Sequence, residues 1–190
     1  YTRARIYNDG EKTFLKGNLH SLSLFTTDQI PLARMLADRD GCYLHSCGVN
    51  LAGKGLLFVG HSEAGKSTIA MMLKNKAEIL CDDRIIIRRQ RDGFRIYGTW
   101  NHGDIPDVSG NSVGLKAILF LEKADKNYLV ELKDKKEITK RLLACLIRPF
   151  LTADWWDKTL SLIEKISYEI PCYLLYFDKD GGVVNLLTQL

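Results

Sequence analysis

Residues 59–68, VGHSEAGKST, restrict the fold more than any other stretch of this chain. Gly60, Gly65, Lys66 and Ser67 fit the spacing G-x-x-x-x-G-K-[ST] of a phosphate-binding loop. Average residue usage would produce that match by accident about once in a hundred chains of this length. Such a loop works only between a buried strand and a helix. The glycines let the backbone curl until successive N–H groups point at phosphate oxygens, and the helix presents its positive N-terminal end to the same anion. LLFV (56–59) is apolar enough for a fully buried strand, and KSTIAMMLKNK places Ile69, Met72 and Leu73 at helical spacing. Gly60, His61, Ser62, Glu63, Ala64, Gly65, Lys66, Ser67 and Thr68 are therefore expected to cradle a nucleotide. Lys66 would reach the β- and γ-oxygens, and the Ser67 hydroxyl would face Mg²⁺.

The rest of the chain supplies context. TDQIPLARMLADRDG reads as a helix, with Thr27 or Asp28 near its start and Gly41 just past its end. CYLHSCGVNL alternates as a strand, and AGKG turns it into LLFV. AEILCDDRIIIRR reads as a strand interrupted by two aspartates, followed after the turn RDG by GFRIYGTW. LKAILFLEK and NYLVELK read as another pair of strands. DKKEITKRLLACLI and DWWDKTLSLIEKISYEI read as amphipathic helices ended by Pro149 and Pro171, and CYLLYF as a late strand. Hairpins mixed with helices predict an α/β fold with a mixed sheet, and 190 residues suit a single domain over 1–190.

Phosphoryl transfer also needs a carboxylate for the metal and a base for the acceptor hydroxyl. Asp82 and Asp83 stand 15 and 16 residues beyond Ser67, between the apolar runs EILC and RIII. Adjacent residues on a strand face opposite ways, so the two carboxylates can serve different roles. His45 lies 15 residues before Gly60, and by itself would read as structural. Thr99, Trp100, His102 and Asp104 in GTWNHGD are weighed equally as an acceptor wall and as a turn with a packed Trp. Arg88, Arg89, Arg91 and Arg95 read as a solvated strand face, Arg84 as a charge beside the aspartates, and Trp155 and Trp156 as helix anchors.

The net charge of +4 permits an acidic ligand without the dense basic footprint of a nucleic-acid binder. No apolar run reaches the length of a membrane span and no signal-peptide pattern opens the chain. Five cysteines without a C-x-x-C pair read as buried free thiols, so the expected setting is a reducing cytoplasm, without nucleic acid or membrane as partner. The sequence is compatible with a homo-oligomer.

HSCGVNLAGKGLLFVGHSEAGKST followed by LCDDR resembles the core of HPr kinase/phosphorylase and its shorter relatives, which share a phosphate-loop fold with phosphoenolpyruvate carboxykinases. The resemblance is specific over roughly residues 42 to 90 and looser through YGTWNHGD and LKAILFLEKADKN. It implies an ATP- and Mg²⁺-dependent serine kinase acting on a protein or small peptide. By position it makes Asp82 the base, Asp83 and Ser67 the metal side, and His45 a polar neighbour of the transferring phosphate, with the two aspartates free to exchange roles. His61 stands where family enzymes often carry Asp, and the downstream glycine-rich signature of the phosphorolytic reaction has no counterpart. Phosphorylase activity and HPr as substrate are therefore not implied. Two other readings stay open: an ATP-binding sensor without transfer, and a GTPase-like switch suggested by DVSG (107–110) and EKAD (122–125), whose separation is too short for the usual intervening elements.

Overall fold

The computed structural model describes residues 5–8, 13–16, 29–148, 152–178 and 180–190. A hairpin, β1 (Arg5–Asn8) with β2 (Thr13–Lys16), stands apart from the main sheet. Helix α1 (Gln29–Ala37) leads into a long strand β3 (Gly41–Leu51), and Ala52 and Gly53 make the tight turn into β4 (Lys54–Val59). Both turn residues have positive φ, 51° and 84°, which a right-twisted two-residue hairpin requires, and Asn50 Oδ1 accepts from Gly53 N at 2.9 Å. Then come α2 (Lys66–Leu73), β5 (Glu78–Cys81), β6 (Arg84–Gln90), β7 (Gly93–Tyr97) and β8 (Ser112–Lys123). The chain closes with β9 (Tyr128–Glu131), α3 (Lys135–Ala144), α4 (Ala153–Glu169), β10 (Cys172–Phe177) and α5 (Val183–Thr188).

Strands β3 to β10 form one mixed eight-stranded sheet, so the fold is α/β as the sequence predicts. Two long strands organise it. The first half of β3 pairs with β6 and its second half with β4 and β5, while β8 pairs with β7 at its start and runs parallel to β4 further on. The strand NYLVELK departs from expectation. It is a strand, but β10 lies between it and β8, parallel to β8 and antiparallel to β9. CYLLYF is the more apolar partner for the core strand, and NYLVELK, with Tyr128 and Val130 exposed, takes the edge.

The central strands are buried on both faces. Leu56, Phe58, Ala117, Leu119 and Leu121 meet Ile69, Ala70 and Leu73 of α2 together with Val183, Val184 and Leu187 of α5. Leu57, Val59, Ile118 and Phe120 meet Ile138 and Leu142 of α3 and Leu162, Ile163 and Ile166 of α4. This one-residue alternation of faces fixes the register, because a slip would carry every side chain to the wrong layer. Trp155 anchors α4: it is buried and its Nε1 donates to the Ala33 carbonyl at 3.2 Å. Asp134 caps α3, its Oδ1 accepting from Lys136 N at 2.9 Å. Thr27, Asp28 and Pro149 lie outside the described residues. No helix among the described residues is long and apolar enough to cross a membrane.

Candidate functional site

The glycine loop leaves β4, at the centre of the sheet, and ends at the first turn of α2. Gly60 packs where a Cβ would lie 2.6 Å from that of Ala64, so a close backbone fold needs glycine there. Gly65 has φ +105°, and a Cβ on it would lie 2.6 Å from the Phe177 ring. As the N-cap of α2, Gly65 offers no side chain to occupy the first-turn N–H groups, which leaves them to an anion. Glu63 adopts the left-handed region at φ 67° without being glycine, a conformation that the surrounding loop must hold in place.

Lys66 lies under the loop, 7% exposed, with Nζ donating to the carbonyls of Gly60 at 2.8 Å and His61 at 2.9 Å. Burial pushes its pKa below the ordinary lysine value. The Ser67 hydroxyl donates to Asp82 Oδ2 at 3.0 Å. This contact brings the acidic doublet and the cradle together.

Asp82 and Asp83 sit in a bend between β5 and β6 rather than within a strand. The buried Cys81 thiol closes the bend from beneath, accepting from Asp83 N at 3.4 Å and Arg84 N at 3.3 Å. Asp82 turns inward, 2% exposed, and also accepts from Gly103 N at 2.7 Å and Ile105 N at 3.1 Å. Asp83 turns toward the cleft, with Oδ1 3.0 Å from His45 Nδ1 and Oδ2 3.1 Å from Arg84 Nε. The hydrogen bond from His45 leads in holding its carboxyl below the usual carboxylate value, against the opposing effect of burial, and the positive charge of Arg84 adds to it.

The cleft between these groups has a volume of about 300 Å³. Ser62, Glu63, Gly65, Lys66, Ser67 and Thr68 line one wall; His45, Asp82, Asp83, Gly103 and Asp104 line the other. Of the loop, Gly60, His61 and Ala64 do not line it: Gly60 and Ala64 pack beneath, and His61 contributes its carbonyl to Lys66.

The segment 98–111 is only partly the wall that GTWNHGD suggests. Asp104 lines the cleft, but Thr99 is buried and donates to the Arg84 carbonyl at 2.8 Å, while Trp100 is 60% exposed and unpacked. The backbone amides of Gly103 and Ile105 matter most, and the sequence reading missed them. The glycine in NHGD is the signal that could have found them, since a Cβ at Gly103 would lie 3.0 Å from Asp82 Oδ2. Glu78 straps the far end of the same segment, its Oε1 accepting from Ser109 Oγ and Asn111 Nδ2, both at 2.6 Å. Of the arginine-rich hairpin, only Arg84 reaches the site. Arg89 pairs with Glu169, and Arg95 donates to the Ser112 carbonyl at 3.2 Å.

Among curated proteins none matches the sequence. A solved structure of the HPr(Ser) kinase/phosphatase from Coxiella burnetii aligns over 77% of this chain and 91% of that one, at 12% identity and a TM-score of 0.42. A likeness that slight carries no inference about activity. The family model described as SynChlorMet cassette protein ScmC matches residues 18–189, nearly the whole chain, and the chain belongs to that family.

Proposed function

We propose that the chain binds ATP with Mg²⁺ on the loop 60–68 and transfers the γ-phosphate to a serine of a protein or small peptide. One observation carries the reading: the Ser67 hydroxyl and the Asp82 carboxylate touch at 3.0 Å beside the buried Lys66, with Asp83 across the same cleft. The donor set fits the metal. Ser67 and Asp82 offer hard oxygens side by side, and Mg²⁺ in such sites takes one or two protein oxygens with the rest from phosphate and water. When bound, the ion would neutralise charge developing on the phosphoryl oxygens.

In the proposal the two aspartates exchange the roles that the family resemblance first gives them. The expected metal residue, Asp83, is the one partnered by His45 and Arg84. Asp82, the expected base, accepts from Ser67 and two backbone amides. In the proposal Asp82 therefore joins Ser67 on the metal side, and Asp83 orients the acceptor hydroxyl. Lys66 has to leave the carbonyls of Gly60 and His61 for the β- and γ-oxygens, and its four-carbon stem allows that. Catalysis is then mainly positioning and charge compensation, with Asp83 accepting the serine proton as the phosphoryl group transfers.

The word cassette in the family description makes polypeptides encoded beside this chain the first acceptors to test. The test is transfer of labelled γ-phosphate from ATP into those polypeptides by the wild-type protein and by Asp83→Asn. Transfer that Asp83→Asn abolishes while ATP still binds supports the reading; transfer unchanged in Asp83→Asn overturns the base.

One observation favours a second reading, an ATP-binding sensor without transfer. A carboxylate held below its usual pKa by His45 is a weakened base. ATP binding with no acceptor phosphorylated would select it. A GTPase-like switch finds no such support, since Asp107 of DVSG pairs with Lys74 at 2.6 Å and does not line the cleft. The proposal places the protein in the cytoplasm, where ATP and Mg²⁺ are abundant.

A further inference from the structure

Helices α3 and α4 leave a groove of about 570 Å³ between them, larger than the nucleotide cleft and formed by none of its residues. Lys136, Lys140 and Leu143 come from α3, at spacings that put them along one side of that helix; Glu164 and Tyr168 come from α4 one turn apart. Tyr168 is 65% exposed, and Lys135 holds the ring from one side, its Nζ 5.6 Å from the ring centroid and donating to the Ser167 carbonyl at 2.6 Å. Leu160, 42% exposed, lies two turns before Tyr168 on the same face of α4, with Glu164 between them.

The charge is one-sided. Three lysines line the groove against the single carboxylate of Glu164. Glu137, the other carboxylate on this part of α3, is committed to Arg141 at 2.8 Å. Lys136 has no carboxylate partner among the described residues, and Lys140 only a loose one at 3.9 Å. An exposed aromatic ring and a leucine flanked by underused lysines complement a chain segment carrying an apolar side chain between carboxylates.

We propose that the groove between α3 and α4 docks an acidic segment of a partner polypeptide, its apolar side chain against Tyr168 and Leu143 and its carboxylates on Lys136 and Lys140. The inference does not depend on phosphoryl transfer.

The test uses the full chain and two fluorescein-labelled amphipathic peptides, one built from Glu, Leu and Ala, the other with Lys for every Glu. The acidic peptide should bind, more weakly as salt rises, and the basic one should not. Tyr168→Ala and the double variant Lys136→Glu/Lys140→Glu should each weaken binding about tenfold, while nucleotide binding and thermal midpoint stay at wild-type values. Equal binding of both peptides, no binding of the acidic one, or unchanged binding in these variants would overturn the proposal. So would a preference for phosphatidylserine vesicles over the acidic peptide that the same substitutions abolish.

Discussion

Two neighbouring carboxylates live in opposite surroundings. Asp82 is enclosed by neutral donors: a hydroxyl from the phosphate loop and two amides from segment 98–111. Asp83 meets the cleft through two ionisable partners, His45 and Arg84. Neutral donors fix a carboxylate in place without cancelling its charge, leaving it able to attract a cation. Both kinds of donor stabilise the anion, but only Arg84 sets a permanent positive charge against it. Being adjacent in sequence therefore says little about shared chemistry; the side of the bend decides.

The comparison breaks first at Asp82. In Asp82→Asn an NH₂ must face donors that the carboxylate accepted from, so phosphate transfer should fall on the order of a hundred- to a thousandfold. Stability should drop by about 1–3 kcal/mol as one buried pairing fails, read by urea unfolding. Asp83→Asn should reduce transfer by a similar factor, yet leave Mg²⁺–ATP affinity close to wild type and lower the urea midpoint less than Asp82→Asn does. Comparable stability losses in the two variants would erase the distinction. Gly103→Ala is gentler: the added Cβ, 3.0 Å from Asp82 Oδ2, should displace the carboxylate by a few tenths of an ångström. Nucleotide affinity in the presence of Mg²⁺ should then weaken about three- to tenfold by titration calorimetry.

Acid sharpens the contrast further. Because Asp83 has its folded pKa depressed, its contribution to stability is fully present above the unfolded carboxylate value of about 3.9 and is lost as pH falls through the lower folded value. The stability difference between wild type and Asp83→Asn should therefore hold from neutral pH down to about 4 and vanish below. A difference that grew on acidification would contradict the pairing with His45. The smallest effect is expected at Trp100→Ala. With the ring 60% exposed and unpacked, folding stability should change by less than about 0.5 kcal/mol in thermal unfolding.

The succession of strand, glycine loop and helix was legible in the sequence because it is local. A strand, six loop residues and a helix follow one another, so spacing alone announces the geometry. The mixed sheet was legible for a similar reason, since hairpins and amphipathic helices are short-range patterns. The place of β10 between β8 and β9 was not, because strand order depends on which apolar faces compete for the centre. The opposite wall of the cleft was hidden for another reason. Gly103 and Ile105 act through backbone amides, which carry no residue signature, on a segment whose far end Ser109 and Asn111 tie to Glu78 of β5. His45 could be named only through the family resemblance; it meets Asp83 where β3 changes partner from β6 to β4.

In the proposed site the metal lies with Ser67 and Asp82. The most direct measurement is the paramagnetic resonance signal of Mn²⁺, substituted for Mg²⁺, titrated with ATP into wild type, Asp82→Asn and Asp83→Asn. Loss of the protein-bound Mn²⁺–ATP signal in Asp82→Asn, with the signal kept in Asp83→Asn, is the result expected. The reverse pattern, or an identical signal in all three proteins, would contradict it.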